Sequence, residues 1–396
     1  MIARSLALHP NLVLLLGAIV LIGAGEEMWM RFLPKYLDAL GASAFAIGLF
    51  DALQTWLGAV YAYPGGVAVD RWGHRRALTA FTAISIAGYA VMLLVPHWAA
   101  VLAAMFLFRA WSDLSLPATF SLVGASLPPA RQTMGIAVQS LIKRVPIMVG
   151  PLAGGVLMDR YGIRGGAQAA FGVSIVLGLA ALLVHRRLRA EAARPERLGG
   201  FLALVRGFDP RLRRLLFSDI LIRFCERLPH AWVVIYALDR VGVTATQVGV
   251  LIAIEMVTAM ACYLPVAHFA DRFRREPFVI ATFVFFTLFP VTLAMSASFG
   301  WLALAFFVRG LKEFGEPPRK ALILSYAQPE APARTVGAYY LLRDTVVAAG
   351  SFLGAALWKL GPGVNFWTAA VAGAAGTLAY VWSAGPRTAT GTGDRL

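Results

Sequence analysis

The chain has 396 residues, of which 59% are hydrophobic and only 14% charged. A soluble domain carries about 25% charged residues, so an ordinary water-soluble fold is excluded. The formal net charge of +15 does not mark a nucleic-acid binder either, because the cations sit in alternate loops between apolar runs.

Apolar runs of about 20 residues, each long enough to cross a hydrocarbon core of about 30 Å, recur twelve times: 11–33, 45–68, 78–95, 99–122, 134–157, 166–184, 214–237, 246–269, 277–295, 300–325, 336–357 and 364–383. No strand-like alternation is left over, so an all-α polytopic membrane protein is expected, with backbone polar groups satisfied inside helices. The first run continues into Glu26 and Glu27 and reads as a retained span rather than a cleaved leader. Arg71, Arg75, Arg76, Arg131, the run from Arg186 to Arg214, Arg272, Arg274, Arg275, Arg334 and Arg387 fall on one side of the membrane. By the positive-inside rule that side is cytoplasmic, with both termini on it, in a multi-pass protein of the cell membrane. Residues 185–213, rich in Arg, Pro and Gly, read as a basic linker between an N-terminal unit, 1–184, and a C-terminal unit, 214–396. Cys225 and Cys262 are too few for a disulfide framework and read as packing residues.

The two units repeat each other. Gly41, Gly48, Asp70 and Arg71 recur 201 positions on as Gly242, Gly249, Asp271 and Arg272. Arg109, Asp113, Pro117, Gly150 and Gly154 recur 200 positions on as Arg309, Glu313, Pro317, Gly350 and Gly354. Two six-helix bundles around a central site are therefore expected, an arrangement that can rock open to either side.

Between spans 2 and 3 the chain reads GGVAVDRWGHRRAL, and a weaker copy, AHFADRFRREPF, lies between spans 8 and 9. The first resembles the cytoplasmic signature of the major facilitator superfamily through Gly66, Asp70, Arg71, Gly73, Arg75 and Arg76. The resemblance covers the whole chain and implies a pseudo-symmetric fold of two six-helix bundles in which this loop latches the inner gate. Its chemistry agrees: glycine permits close contact and a tight turn, and an aspartate can accept from a helix N-terminus. The second copy has Ala267 and Arg274 at the two glycine positions, so it is not expected to latch. GPLAGG, from Gly150 to Gly155, and Arg109 are similar to motifs of the drug:proton antiporter type, although the residue four after Arg109 is Asp113 where that motif has glycine.

Ionic residues fall inside the predicted spans: Glu26, Glu27, Arg31, Asp51, Arg109, Asp113, Lys143 and Arg144 in the first half, and Arg223, Glu226, Arg227, Glu255, Arg309, Lys312, Glu313, Glu316, Arg343 and Asp344 in the second. Each costs about 2.5–3.5 kcal/mol near mid-membrane even on the lenient insertion scale, so they must line a wet cavity or pair with one another. Spans 3, 6, 9 and 12 carry no charge in their middles, the division expected if the third helix of each triplet is peripheral. Glu26 and Glu27 are the first proton-coupling candidates, as adjacent carboxylates in a partly desolvated site, with Glu226 and Glu255 second. Arg109, Asp113, Lys143, Arg144, Arg223, Arg227, Arg309, Glu313, Arg343 and Asp344 are the candidate substrate and cavity residues, arginine's planar fork suiting carboxylate or phosphate.

The function expected is a monomeric, proton-coupled secondary transporter of a small charged solute, leaning to an organic anion or zwitterion. The alternatives are a multidrug/proton antiporter exporting lipophilic compounds, an uncoupled facilitator, or a receptor on this scaffold. No enzyme is expected, since no His-Glu-x-x-His, Gly-x-Ser-x-Gly or phosphate-loop pattern occurs. No cofactor or nucleic-acid partner is expected, and no metal, the histidines being scattered without ligand spacing.

Overall fold

A computed structural model describes residues 10–115, 129–188, 205–270, 276–327 and 332–384. Helix is the regular structure throughout the described residues. In the first half, α1 (Pro10–Met30) leads through the short α2 (Leu33–Ala39) to α3 (Ala44–Leu94), α4 (Trp98–Arg109) with a wide π-type turn at Ala110–Leu114, and α5 (Pro129–His185). In the second, α6 (Pro210–His230), α7 (Trp232–Tyr236) and a π-type turn at Ala237–Val241 are followed by α8 (Ala245–Ala270), α9 (Glu276–Ala294), α10 (Phe299–Leu311), α11 (Glu316–Ser325), α12 (Pro332–Leu360) and α13 (Pro362–Ala384).

The long helices α3 and α5 are each two spans joined at one non-helical glycine, Gly73 (φ 75°, ψ 161°) and Gly162 (φ 72°, ψ 167°). A positive φ costs glycine nothing, so a single residue reverses the chain. By length and apolarity alone, eight helices among the described residues can cross a membrane. Expected spans 4, 7 and 10 are not among these eight. Each carries buried charge, span 4 is described only to residue 115, and α4, α7 and α10 run into breaks: the two π-type turns, and residues 312–315 between α10 and α11. Such interruptions survive in a bilayer only where neighbouring protein or a wet cavity takes up the freed polar groups.

The repeat is visible as repeated contacts. On α5, Gly150 and Gly154 lie against Glu27 and Met28 of α1; on α12, Gly350 and Gly354 lie against Arg227 and Leu228 of α6. A β-carbon at Gly154 would run into the Met28 carbonyl and one at Gly354 into the Leu228 carbonyl, so both seams need glycine for backbone contact. The halves meet along two equivalent seams, α3 with α12 and α5 with α8. There Gly48 abuts Ser351 and Ala355, while Gly249 abuts Pro151 and Leu152.

These seams close one face of the molecule. Lys35 Nζ reaches Asp239 Oδ2 at 2.6 Å and Asp38 Oδ2 at 2.8 Å. Burial disfavours the ammonium, but hydrogen bonds to Asp239 and Asp38 outweigh it and hold its pKa above the ordinary lysine value. Arg164 of α5 also donates to the Ala39 carbonyl. The opposite face carries the Gly73 turn with Arg71, Arg75 and Arg76 exposed. The surroundings of Gly66 and Asp70, residues 271–275 and the side chains of 263–270, which hold most of the second motif copy at 267–278, and linker residues 189–204 lie outside what the structure describes.

Candidate functional site

On α1, Glu26 is 6% exposed. Tyr89 donates to its Oε1 at 2.6 Å and Ser112 to its Oε2 at 2.5 Å. Local structure sets both donors. Trp29 packs edge-on against Tyr89, Phe108 and Phe171, bringing α3 and α4 onto the same stretch of α1. The π-type turn frees the Trp111 amide, which donates to Ser85 Oγ at 2.8 Å, and the next residue, Ser112, reaches Glu26. Arg109 binds Asp113 through two parallel bonds of 2.8 and 2.6 Å, so this arginine is spoken for within its own helix.

Glu27 turns elsewhere, as expected of neighbours about 100° apart on a helix. Its Oε2 lies 3.7 Å from Arg31 Nε, so the carboxylate of Glu27 has its own partner and the two glutamates do not share a donor set. Between α1, the π-type turn and α5 lies a cavity of about 170 Å³ lined by Glu26, Glu27, Arg109, Ser112, Asp113 and Lys143. Lys143 is exposed and no ion pair within 4.0 Å is found for it among the described residues.

The second half is built differently. Glu226, at the repeat position of Glu26, is held by Lys312 at 2.6 Å and Arg223 at 2.7 Å. Lys312 stands where the first half has Ser112. From there an alternating chain of charges runs through α6, α8, α10, α11 and α12. Lys312 also faces Glu255 at 3.6 Å, and Glu255 lies 3.2 Å from Arg309. In the other direction Arg223 binds Glu316 at 2.7 Å, Glu316 binds Arg319, and Arg319 binds Asp219. Asp219 also takes Arg343 at 3.2 Å and Tyr339 at 3.0 Å, and Arg343 binds Asp344 at 2.8 Å. Alternation is what makes buried charge tolerable: each ion leaves water for at least one counter-ion.

Among the described residues, Asp51 and Arg144 tie the halves together inside the protein. Asp51 of α3 accepts from Arg227 at 3.0 Å, pairs with His230 at 2.8 Å and accepts from Ser351 of α12 at 2.6 Å. Arg144 of α5 binds Glu313 at 2.9 Å. Above these ties a larger cavity of about 580 Å³ opens between α3, α6 and α12, with Gln54, Arg109, Arg227, His230, Tyr340 and Asp344 on its wall.

The chain matches the family model described as Major Facilitator Superfamily twice, over residues 15–238 and 215–395. The chain belongs to the Major Facilitator Superfamily. It is a secondary transporter, a multi-pass membrane protein and not an enzyme. Multidrug resistance protein MdtG of Enterobacter lignolyticus (strain SCF1) is 24% identical over 351 residues, covering 85% of this chain and 83% of that protein. MdtG of Escherichia fergusonii is 22% identical over 361 residues, covering 88% and 87%. Among solved structures, a point mutant of the nucleoside transporter NupG has a TM-score of 0.77 at 12% identity, covering 94% of this chain and 99% of that one. The human organic anion transporter MFSD10 has a TM-score of 0.64 at 16% identity, covering 94% and 99%. These likenesses extend to the fold.

The structure therefore brings Glu26, Glu27, Arg109, Asp113 and Lys143 to one small chamber and Arg223, Glu226, Arg227, Arg343 and Asp344 to the wall of the larger one. Glu255, Arg309, Arg144 and Glu313 stand in ion pairs beside them. Asp219 and Arg319, not among the expected site residues, form the most deeply buried ion pair among the described residues, with side chains 1% and 2% exposed. A signal existed: Asp219 precedes Arg223 by one helical turn, the spacing of an ion pair. Tyr89, Ser112, His230 and Ser351 carry no such signal, since each becomes polar machinery only by meeting a carboxylate from another helix.

Proposed function

We propose that this transporter works by alternating access, is coupled to protons through Glu26, and moves a small organic anion or zwitterion. One observation carries the reading. Glu26 is buried on the cavity wall between two neutral hydroxyl donors, whereas Glu226 at the repeat position is clasped by Lys312 and Arg223. A carboxylate with hydroxyl partners can lose its charge without stranding a counter-ion; one between two cations cannot. Glu26 is thus the proton carrier, and Glu27, Glu226 and Glu255, each facing a cation, are secondary. Lys143, an open cation in the same chamber, gives a solute carboxylate its counter-charge, with Arg109 on the wall of both cavities.

With the basic loops cytoplasmic, both termini lie inside the cell and the closed face points outward, so the cavity opens inward. The bundles 1–184 and 214–396, joined by the basic linker 185–213, form a monomeric unit in the cell membrane. Arg71, Gly73, Arg75 and Arg76, with Gly66 and Asp70, form the inner gate loop.

The test is uptake into proteoliposomes of purified Glu26→Gln. Accumulation driven by a pH gradient is lost, while counterflow exchange of labelled solute persists. Accumulation retained at the wild-type level overturns the assignment. A second reading, export of lipophilic drugs, is favoured by the names of the MdtG relatives. Thermal stabilisation by lipophilic cations, with none from carboxylates or zwitterions, decides for it.

A further inference from the structure

Besides the copy between spans 8 and 9, the gate-loop motif between spans 2 and 3 has a further copy at the other face of the membrane. Gly65, Gly66, Val67, Asp70, Arg71 and Gly73 recur 89 positions on as Gly154, Gly155, Val156, Asp159, Arg160 and Gly162. The likeness extends to the backbone, where Gly73 and Gly162 make the same non-helical turn, φ 75° and ψ 161° against φ 72° and ψ 167°. It extends to packing too. A β-carbon at Gly65 would meet the Leu114 carbonyl, and one at Gly154 the Met28 carbonyl.

Asp159 does something specific with this position. The start of α8, in the other half, needs partners for its first amides. Thr244 and Gln247 cap it once between themselves, each side chain accepting from the other's amide at 3.1 and 2.9 Å. The amides of Ala245 and Thr246 both donate to the carboxylate of Asp159, at 2.8 Å each. Gly155, one turn earlier, lets α5 lie against the Ala245 carbonyl. A carboxylate at a helix N-terminus adds charge–dipole attraction to the two hydrogen bonds.

We infer that Asp159 is the latch of an outer gate, built from an inverted copy of the inner loop motif, and that it holds the transporter in the state whose outer face is closed. The inference rests on the alternating-access reading above. When the outer face opens, α5 and α8 separate, and both amides must exchange the carboxylate for water. Asp159 is thereby a positioning residue: it touches no solute and sets which face is open.

The experiment is hydrogen exchange by mass spectrometry on the full chain in lipid nanodiscs. It compares wild type with Asp159→Ala, Asp159→Asn and Arg160→Ala. Gly155→Leu serves as a wedge, since a side chain there must push α5 off α8. Exchange at residues 245 and 246 would rise trivially, so the reading is taken elsewhere. In Asp159→Ala, exchange at 47–51 on the outer seam rises about five- to ten-fold, the effect of losing a good helix cap, and exchange at 337–344 on the inner cavity falls. Asp159→Asn, which keeps an acceptor without charge, gives a smaller change of the same pattern, and Arg160→Ala gives none. If Asp159→Ala matches wild type while Gly155→Leu shows the reciprocal change, the latch is refuted and alternating access stands. If Gly155→Leu also fails to show reciprocity, the alternating-access reading falls and the latch with it. A rise spread evenly over both bundles in Asp159→Ala marks a merely structural role and likewise refutes the latch.

Discussion

Asp219 and Glu26 show what decides the role of a buried carboxylate, which is the charge of the groups that meet it. Asp219 is met by Arg319, Arg343 and the Tyr339 hydroxyl, with Arg223 Nε 3.9 Å away. Replacing it with alanine leaves Arg319 to Glu316 alone and Arg343 to Asp344 alone, with one buried negative charge too few for the cluster, so Asp219→Ala is expected to cost about 3–5 kcal/mol. Asp38→Ala, at a half-exposed pair, should cost about 1 kcal/mol or less. Unfolding in detergent, followed by tryptophan fluorescence, measures both, and equal losses would contradict the assignment of the charge chain as structural. Glu26 instead accepts its hydrogen bonds from two hydroxyls, those of Tyr89 and Ser112. Removing one, in Tyr89→Phe, forfeits a hydrogen bond to a charged group of about 1.5–3 kcal/mol when Glu26 is ionised. Gradient-driven uptake is therefore expected to fall roughly ten-fold or more, with counterflow exchange much less affected.

At the scale of elements, three helices that supply partners to the buried charges resemble membrane spans least. Spans 4, 7 and 10 break, at Ala110–Leu114, around Ala231 to Val241 and at residues 312–315. Hydropathy read from the sequence found their positions but not their breaks, because a π-type turn is stabilised by partners such as Ser85 that lie far along the chain. The glycines, by contrast, were legible. Their repeat at fixed offset marked helix seams, and Gly150, Gly154, Gly350 and Gly354 all lie in close backbone contacts or against large side chains. Gly354→Ala is expected to destabilise by about 1–3 kcal/mol, since the Leu228 carbonyl it meets belongs to a helix backbone and cannot rotate away. Gly17→Ala, with open space around it, should instead stabilise by about 0.5–1 kcal/mol through helix propensity. Thermal unfolding of the two variants side by side checks the pair of signs.

For the molecule as a whole, the halves are asymmetric in charge although symmetric in path. Positions related by the repeat hold Ser112 and Lys312, or Glu27 and Arg227, so one half offers a neutral pocket around its glutamate and the other a rigid ionic chain. Besides the internal ties at Asp51 and Arg144, the halves are joined at the closed face, where Lys35 meets Asp239 and Asp159 meets the start of α8. Rocking must break the contacts at this face. Lys35→Cys combined with Asp239→Cys, joined by a short reducible cross-linker, is therefore expected to stop solute exchange, and a reductant should restore it. Exchange that continues at full rate under complete cross-linking would mean that this face does not open during transport.

The sequence by itself determined that the chain spans a membrane many times, that it is doubled, and that it belongs to this superfamily. The first two follow from apolar run length, loop charge and glycine spacing, and the third from the resemblance of the loop motif at Gly66 to Arg76; all are local or periodic and survive without coordinates. Which charges neutralise one another was decided only by the tertiary structure. Arg109 closes on its own helix, Arg227 crosses to Asp51, and Asp219 gathers arginines from α11 and α12. The reason is that a bilayer demands a counter-ion or water for each buried charge without specifying where along the chain the partner comes from, and packing supplies that choice.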